Sequence, residues 1–437
     1  MKSGSQLVTY GSVSGTDYQI ERSVTGSGGY SIIGSPVQDV IVGNMAADYV
    51  YSFDGDVYEN AETSEVMAAG KGYFAGFDVE DPTVVFNGTP NAGNQSYSLP
   101  TADKFHLIAN PYAAAISHSK LINENSTSFD GTIYLWDDGG SNTGGTRDGG
   151  YVTVNAEGLA TGTGGLQGKD AFNGNIGSSQ GFFVYADEAT SIDFTPSMQS
   201  TDVNANSDGA FYRNNGPQYI RLSLSNADFA DDLIVMFHER ATEEFDAGLD
   251  ARKLKNANLS FYSTREAEGL AIQALSNEPV KERVIPLEVE LTVSGEFVMD
   301  IGELNSLQPR LEILLEDVET GSLYNLRTHD RINIALNVAR SEGRFNLILR
   351  DSQVLSFNDT KPKLWVDGSS NSLKIYYAAA SDKEMVMIYD LSGKVVFREY
   401  VPFQSGTAVI DKPMEEGAIY VIRVEGAISK FSSSIKN

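Results

Sequence analysis

Four short blocks recur in the same order within the first 200 residues, and this recurrence constrains the fold more than any other feature of the chain. Gly29-Tyr30-Ser31-Ile32-Ile33-Gly34-Ser35-Pro36-Val37 matches Lys104-Phe105-His106-Leu107-Ile108-Ala109-Asn110-Pro111-Tyr112. Val50-Tyr51-Ser52-Phe53-Asp54 matches Ile133-Tyr134-Leu135-Trp136-Asp137, and Gly70-Lys71-Gly72-Tyr73-Phe74 matches Ser179-Gln180-Gly181-Phe182-Phe183. Val84-Val85-Phe86 matches Ile192-Asp193-Phe194. The offset grows from 75 (104 − 29) to 83 (133 − 50) to 109 (179 − 70), so the second copy carries insertions. Insertions of this kind fall in loops.

Each block is a short apolar or alternating run bounded by Gly, Pro, Asn or Asp, which is the strand signal. Pro36 and Pro111 end strands because proline cannot donate to a ladder. Gly72 and Gly181 precede aromatic pairs, where a missing side chain lets the backbone bend or pack closely. The insertion from Asp137 to Gly150 holds no large apolar residue and reads as a long exposed loop, and Asn155 to Asn175 is similarly glycine-rich.

Beyond a linker at 201–215, Tyr219 to Leu224 alternates, and Leu233 to Phe237 is a continuous apolar strand. Further strands are expected at Leu259–Tyr262, Leu270–Ala274, Arg283–Leu291, Gly295–Ile301, Arg310–Asp317, Leu323–Leu326 and Arg344–Leu349. Short strands at this spacing point to a β-sandwich of Greek-key or jelly-roll type. Phe245 to Lys255 reads as a loop or one helical turn, and only 241–256 and Leu304–Leu307 hint at helix. A polar stretch from Asp351 to Lys361 precedes a last small sandwich, in which Asp390-Leu391-Ser392-Gly393-Lys394 is the turn between Met385–Tyr389 and Val395–Arg398. The expected fold class is therefore all-β. β-rich repeat modules at 1–98 and 99–205 precede a jelly-roll or Greek-key-like sandwich at 213–352 and a small Ig-like sandwich at 362–437.

The net charge of −27, from 59 acidic and 32 basic residues, argues against nucleic acid as a partner and against anionic membrane surfaces. It is unevenly spread. Residues 1–212 carry 25 acids and 7 bases (7 − 25 = −18), and residues 362–437 carry 9 of each. With no cysteine, disulfides, thiolate catalysis and cysteine-ligated metals are excluded. No apolar run approaches the ~18–20 residues of a membrane-spanning helix. No apolar run follows Met1-Lys2-Ser3-Gly4, so no signal peptide is read there.

The last 75 or so residues carry a resemblance. Leu373-Lys374-Ile375, the Met385 to Val396 run containing Tyr389, Asp390, Gly393 and Lys394, the Gly417 to Val424 run containing Tyr420, and Ile435-Lys436 together resemble the C-terminal sorting domain of type IX secretion in the Bacteroidetes. Leu107 to Tyr112, Tyr134 to Asp137, Gln180 to Phe183, Ala241 to Asp246 with Asp250 to Leu254, and Leu315 to Gly321 look like modules found upstream of such tails. The resemblance implies a cargo recognised by the outer-membrane translocon and then secreted or anchored at the cell surface; since such a cargo needs a signal peptide, it also implies that this chain is the C-terminal part of a longer protein or a mature form with an added Met. No activity comes with it.

No catalytic motif stands out. His106, His118, His238 and His329 lack neighbours at metal-ligand spacing. His106, alternating with Phe105 and Leu107, is expected to face outward. His238-Glu239 does not continue as a zinc-protease helix, and Gly11 to Gly15 has Val13 where a nucleophile would stand. No pair of acids is singled out for glycoside hydrolysis. Asp202, Asn204, Asn206 and Asp208 place oxygens at every second position before Gly209, like the front half of a calcium loop, but no glutamate closes it; calcium and a polar linker both stay open. Asp54, Asp56 and Glu59 read as a turn or a weaker cation cluster. Trp136, Tyr51, Tyr58 and Tyr151 could stack on sugars, although Trp136 recurring as Phe53 favours the core. The expectation is a non-catalytic, acidic structural protein or adhesin. Its alternatives are a carbohydrate-binding accessory region of a larger secreted hydrolase and, less favoured, a hydrolase whose carboxylate site is unrecognised.

Overall fold

A computed structural model describes the chain except residues 1–4, 16, 25–28, 80–81, 138–148, 163–171, 201–217, 278–281, 306, 308–310, 341–342, 352–364, 370–371, 377–382, 391–393, 404–406, 412–418, 425–426 and 433–437. The fold is all-β, and the chain divides into two compact units, Met1–Ser352 and Gln353–Asn437.

The first copy of the repeat supplies β1 (Gln19–Ser23), β2 (Tyr30–Ile33), β3 (Tyr49–Phe53), β4 (Tyr58–Asn60), β5 (Tyr73–Gly76) and β6 (Thr83–Asn87). The second supplies β7 (Gln95–Leu99), β8 (Lys104–Ala109), β9 (Ile116–Ser117), helix α1 (His118–Glu124), β10 (Ile133–Asp137), β11 (Gly150–Val154), β12 (Ala160–Thr161), β13 (Asn175–Ile176), β14 (Gly181–Ala186) and β15 (Thr190–Phe194). The sheets run β2-β5-β3-β4 and β8-β14-β10-β11-β12, and β1-β6 is echoed by β7-β15.

The matched blocks share register as well as order. Ile33 pairs with Tyr73 as Ile108 pairs with Phe182. Tyr51 pairs with Phe74 as Tyr134 pairs with Phe183. Phe53 opposite Tyr58 is echoed by Trp136 opposite Tyr151. Because side chains alternate with period two, a shared register sends equivalent residues to equivalent faces. Ile33 and Tyr73 enter one core, Ile108 and Phe182 another, and Ile32, Phe74, Leu107 and Phe183 form a third, aromatic layer between the two sheets.

The two copies also grip each other reciprocally. Gly34 N–H donates to Ser179 O and Ala109 N–H donates to Gly70 O, both at 2.9 Å, and these four residues are two equivalent pairs. Bridges Ile33–Gln180 and Ile108–Lys71 repeat the relation. Gly70 and Ser179 both have positive φ, +87° and +62°. A local pseudo-twofold therefore passes near Gly34 and Ala109. A side chain at Gly34 would bring its Cβ to 2.3 Å from the Ala109 Cβ. In the aromatic layer, Phe74 meets Trp136 and Phe183 meets Phe53 edge-on, each at 5.2 Å. The equivalent hydroxyls of Tyr58 and Tyr151 meet each other at 3.1 Å.

The rest of the first unit is one continuous twelve-stranded sheet. Its strands are β16 (Gln218–Ser225), β17 (Ala230–His238), β18 (Ala251–Arg252), β19 (Leu259–Arg265), β20 (Glu268–Ser276), β21 (Glu282–Leu291), β22 (Gly295–Asn305), β23 (Leu311–Asp317), β24 (Ser322–Asn325), β25 (Arg331–Leu336), β26 (Ala339–Arg340) and β27 (Phe345–Asp351). The main path is β24-β23-β27-β21-β19-β20-β17-β16-β22-β25, with β17 and β20 parallel. The sheet curls around Leu222, Leu233, Phe261, Phe297, Leu315 and Phe345. β25 alternates buried and exposed, whereas Asp231 to Met236 in β17 are buried throughout. Leu233 and Val235 face the main core, and Ile234 and Met236 face a smaller cluster holding Leu159 of the second repeat, so both faces of β17 are covered.

Three local expectations fail. The 241–256 segment holds turns and β18, which fits the loop reading of Phe245 to Lys255 and not the helical one, and Leu304 lies in β22. α1 was not anticipated; at seven residues it is too short to show a helical period, and it is held by Leu121 and Ile122 in the core. His106 is buried, because Phe105 and Leu107 face the aromatic layer while its own side shares a face with Ile108; its ring Nε2 contacts Thr101 O at 2.8 Å.

The second unit is a two-sheet sandwich of β28 (Trp365–Ser369), β29 (Ser372–Tyr376), β30 (Lys383–Asp390), β31 (Val395–Pro402), β32 (Thr407–Ile410), β33 (Ile419–Val424) and β34 (Ala427–Ser432). The sheets are β28-β29-β32 and β31-β30-β33-β34. Leu373, Ile375, Val386, Ile388, Ile410 and Ile422 fill the space between them.

Candidate functional site

Charged side chains are concentrated where the second repeat meets β17, β18 and β20. Chain reversal at 241–256 makes this junction. Gly248 N–H donates to Asp130 O at 2.7 Å, Ala156 N–H donates to Gly248 O at 3.1 Å, and Tyr151 N–H donates to the Asn256 Oδ1 at 3.0 Å. A Cβ on Gly131 would sit 2.9 Å from the Gly248 Cα, so the two backbones touch where only glycine fits.

Arg252 is the hub. Its guanidinium lies 4.0 Å from the Phe245 ring centre and 4.2 Å from that of Tyr185. It donates to Asp130 at 2.9 Å, Asp187 at 3.1 Å and Glu268 at 2.6 Å. Planar stacking with several in-plane bonds is what guanidinium geometry supplies and an ammonium does not. Burial pushes the Asp130 carboxyl up to about 7, against the pull of Arg252. Burial alone would lower Arg252, but the carboxylates around it, Asp130 first, hold it above its ordinary value.

Three further pairs surround this hub. Asp232 accepts from Arg221 through Oδ2 and from Gly162 N–H through Oδ1. Asp250 accepts from Ala274 N–H through Oδ1, and from Arg265 and Asp246 N–H through Oδ2. Asp231 accepts from Lys253 Nζ at 2.5 Å and Phe261 N–H at 2.7 Å, both through Oδ2. Its Oδ1 has no partner among the described residues. Burial raises both Asp231 and Asp250. The other fully buried carboxylates of the belt, Asp130, Asp232 and Asp250, are answered on both oxygens, which is the chemistry of a structural latch rather than of a group poised to react.

Beside the latch, the β19–β20 hairpin and Phe245 line an open cleft of about 430 Å³, with Arg265, Glu266, Ala267, Glu268 and Leu270. The tip residues Glu266 and Ala267 have φ of +50° and +72°, where a two-residue hairpin normally uses Asn-Gly.

The candidate residues read from sequence fall apart spatially. Asp202, Asn204, Asn206 and Asp208 lie outside the described residues, as do Gly393 and Gly417. Tyr389 and Asp390 end β30 and Lys394 precedes β31; Asp390 N–H donates to Lys394 O and Lys394 N–H donates to Asp390 Oδ1, each at 3.0 Å. Tyr420 is buried in β33. Asp54 accepts from Asp56 and Val57 N–H, both at 2.9 Å, and Asp56 pairs with Lys104, so this group closes a turn. Among the described residues no cluster of three or more His, Asp or Glu is arranged to hold a metal. Trp136 is half-buried, with Phe74 and Tyr151 edge-on at 5.2 Å each. Sequence reasoning missed the charged belt. The one available signal was Asp231-Asp232 opening a wholly apolar run, since neighbouring acids on a doubly covered strand need buried partners on both faces.

Fold and site together define an all-β protein in which a duplicated module is latched to a curled sheet by buried ion pairs. The chain belongs to the family described as a domain of unknown function, DUF8693, which matches residues 4–349. That match ends within the first unit. No curated protein matches. Among solved structures, a β-1,2-glucanase from Parabacteroides distasonis is similar at 9% identity over 43% of this chain and 39% of its own, with a TM-score of 0.14. The BSP domain of a biofilm associated protein is similar at 10% identity over 99% and 98%, with a TM-score of 0.15. Similarity at this level carries no argument about fold or activity.

Proposed function

We propose that the chain is a secreted or surface-displayed structural or adhesive protein without catalytic activity, exported by type IX secretion through its C-terminal unit. The observation that carries this reading is the separateness of that unit. Residues 353–437 form their own compact body with their own core, and Tyr389, Asp390 and Lys394 of the sorting-type signature sit at one hairpin. A folded β-module offers a translocon a surface for docking by strand addition or face contact. The near-balance of charge in 362–437, against −18 in 1–212, also supports a unit with a separate task. The test is export from a type IX-competent bacterium. The full chain is expected outside the cell and a chain lacking 362–437 inside; a truncated chain found outside overturns the reading.

A carbohydrate-binding accessory role is the second reading. Tyr49 is 48% exposed, and Tyr30 lies 6.3 Å from Tyr51 and stacks on Phe74 at 5.2 Å. Gly76 permits this, since a Cβ there would meet the Tyr30 ring at 2.7 Å. Half-open tyrosines of this kind suit the apolar faces of sugars. Retention on a neutral polysaccharide that disappears in Tyr30→Ala and Tyr49→Ala would favour it; unchanged retention would remove this ledge.

A further inference from the structure

We infer that Lys253 and Asp231 condense into an intramolecular amide, an isopeptide cross-link inside the curled sheet.

The pair differs from its neighbours in one respect. Asp232 and Asp250 each satisfy both carboxylate oxygens, and Asp130 uses one for Arg252 and the other for Thr132 N–H. Asp231 leaves Oδ1 empty among the described residues, and both its bonds fall on Oδ2. Lys253 has three N–H donors and, among the described residues, one acceptor. The two side chains are 2% and 0% exposed, so bulk solvent does not reach them. A buried ion pair is sustained only where the remaining donors and lone pairs are also met. Here they are not, and a neutral product suits the site better than the charged pair.

The geometry supplies what the reaction needs. Asp231 shares its side of β17 with Leu233 and Val235, which are core residues. Lys253 is fixed by its own N–H, which donates to Gly269 O at 2.8 Å. Condensation of a free acid and a free amine is unfavourable in water. Oriented contact in one molecule acts as an effective concentration of about 10⁵–10⁸ M, and eliminating two buried charges adds to the drive.

The atoms balance without any other reactant. The ammonium passes one proton to the carboxylate, leaving an amine beside a carboxylic acid. The nitrogen lone pair forms the Nζ–Cγ bond as the Cγ–Oδ1 bond breaks. Oδ1 departs as water with the two protons that leave the nitrogen, the first passed to it by way of Oδ2, the oxygen that Nζ contacts. Oδ2 remains as the amide oxygen, already hydrogen-bonded by Phe261 N–H, which polarises the carbonyl toward attack. Burial favours the protonated acid at Asp231, which helps the first step.

The test is the intact mass of the purified full chain under denaturing conditions, followed by peptide mapping. The expected mass falls short of the sequence mass by one water, and one branched peptide joins the Asp231 and Lys253 segments. Lys253→Met and Asp231→Ala should each restore the full side-chain complement and abolish the branched peptide. A native chain of full mass, with the two segments released separately, overturns the inference. So does a water lost at any other pair. The measurement on the native chain decides the matter even where neither variant folds.

Discussion

Gly34 and Ala109 occupy equivalent places across the pseudo-twofold, and exchanging them tests the symmetry directly. In Gly34→Ala the new methyl would stand 2.3 Å from the Ala109 Cβ and 2.9 Å from Lys71 O. Ordinary contact between methyl carbons is about 3.5–4.0 Å. The strands on both sides are fixed by the bonds Gly34 N to Ser179 O and Ala109 N to Gly70 O, so little can give. Overpacking of this kind costs about 1–3 kcal/mol, and the upper half of that range applies here. Ala109→Gly removes a small buried side chain and adds backbone freedom, which costs about 0.5–1 kcal/mol. The double variant, Gly34→Ala with Ala109→Gly, places one methyl at the axis again, now on the other copy. It should regain at least about 1 kcal/mol relative to the sum of the singles, within the range seen for directly coupled residues. Equilibrium urea unfolding, followed by Trp136 fluorescence in a Trp365→Phe background, reads this transition because the chain has two tryptophans and Trp136 lies in the aromatic layer. Strict additivity of the two substitutions would refute the reasoning.

Arg252→Ala should destabilise the first unit by about 3–5 kcal/mol, because it strands Asp130 in the interior; Arg252→Lys should recover only part of this in thermal unfolding, since an ammonium cannot stack between Phe245 and Tyr185 while reaching three acids. Asp130 holds its proton to about pH 7, whereas a free aspartate releases it near 3.8. The folded chain therefore binds more protons than the unfolded one between those values, and this contribution to stability is complete below 3.8 and lost as pH rises through about 7. Asp130→Asn should flatten that part of the stability–pH curve relative to the native chain, and an unchanged slope would contradict the assignment. Ala267→Gly should raise stability by about 0.5–1 kcal/mol, because it relieves a left-handed alanine at the β19–β20 tip; a loss of stability measured by urea unfolding would mean that the turn is not strained.

The strands were legible because each is a short alternating or apolar run between turn residues, and the duplicated blocks were legible because aromatic and glycine positions survive in both copies. Register came with them: the same spacing from Gly72 to Phe74 and from Gly181 to Phe183 puts the same residues on the same faces. The charged belt was hidden by separation. Arg252 and Asp130 are 122 residues apart, and nothing local to either marks it for burial. The parallel pairing of β17 with β20 was equally invisible, because a continuous apolar run does not say what covers its second face. His106 was misjudged for the same reason, since alternation shows which side a residue takes and not whether that side is open. The sorting-type signature was readable as a pattern, and two of its residues, Asp390 and Lys394, bond each other across the turn.

The reciprocal grip of the two repeats has a consequence for how such a chain can change. Among the described residues, hydrogen bonds to the curled sheet leave from the second copy at Asp130, Tyr151, Asn155, Ala156, Ala160, Gly162 and Asp187, among others. Several of these positions belong to stretches the leaner first copy lacks. The labour is thus divided between the halves: the leaner copy closes the aromatic layer, while its twin also carries the segments that fasten the pair to the neighbouring sheet.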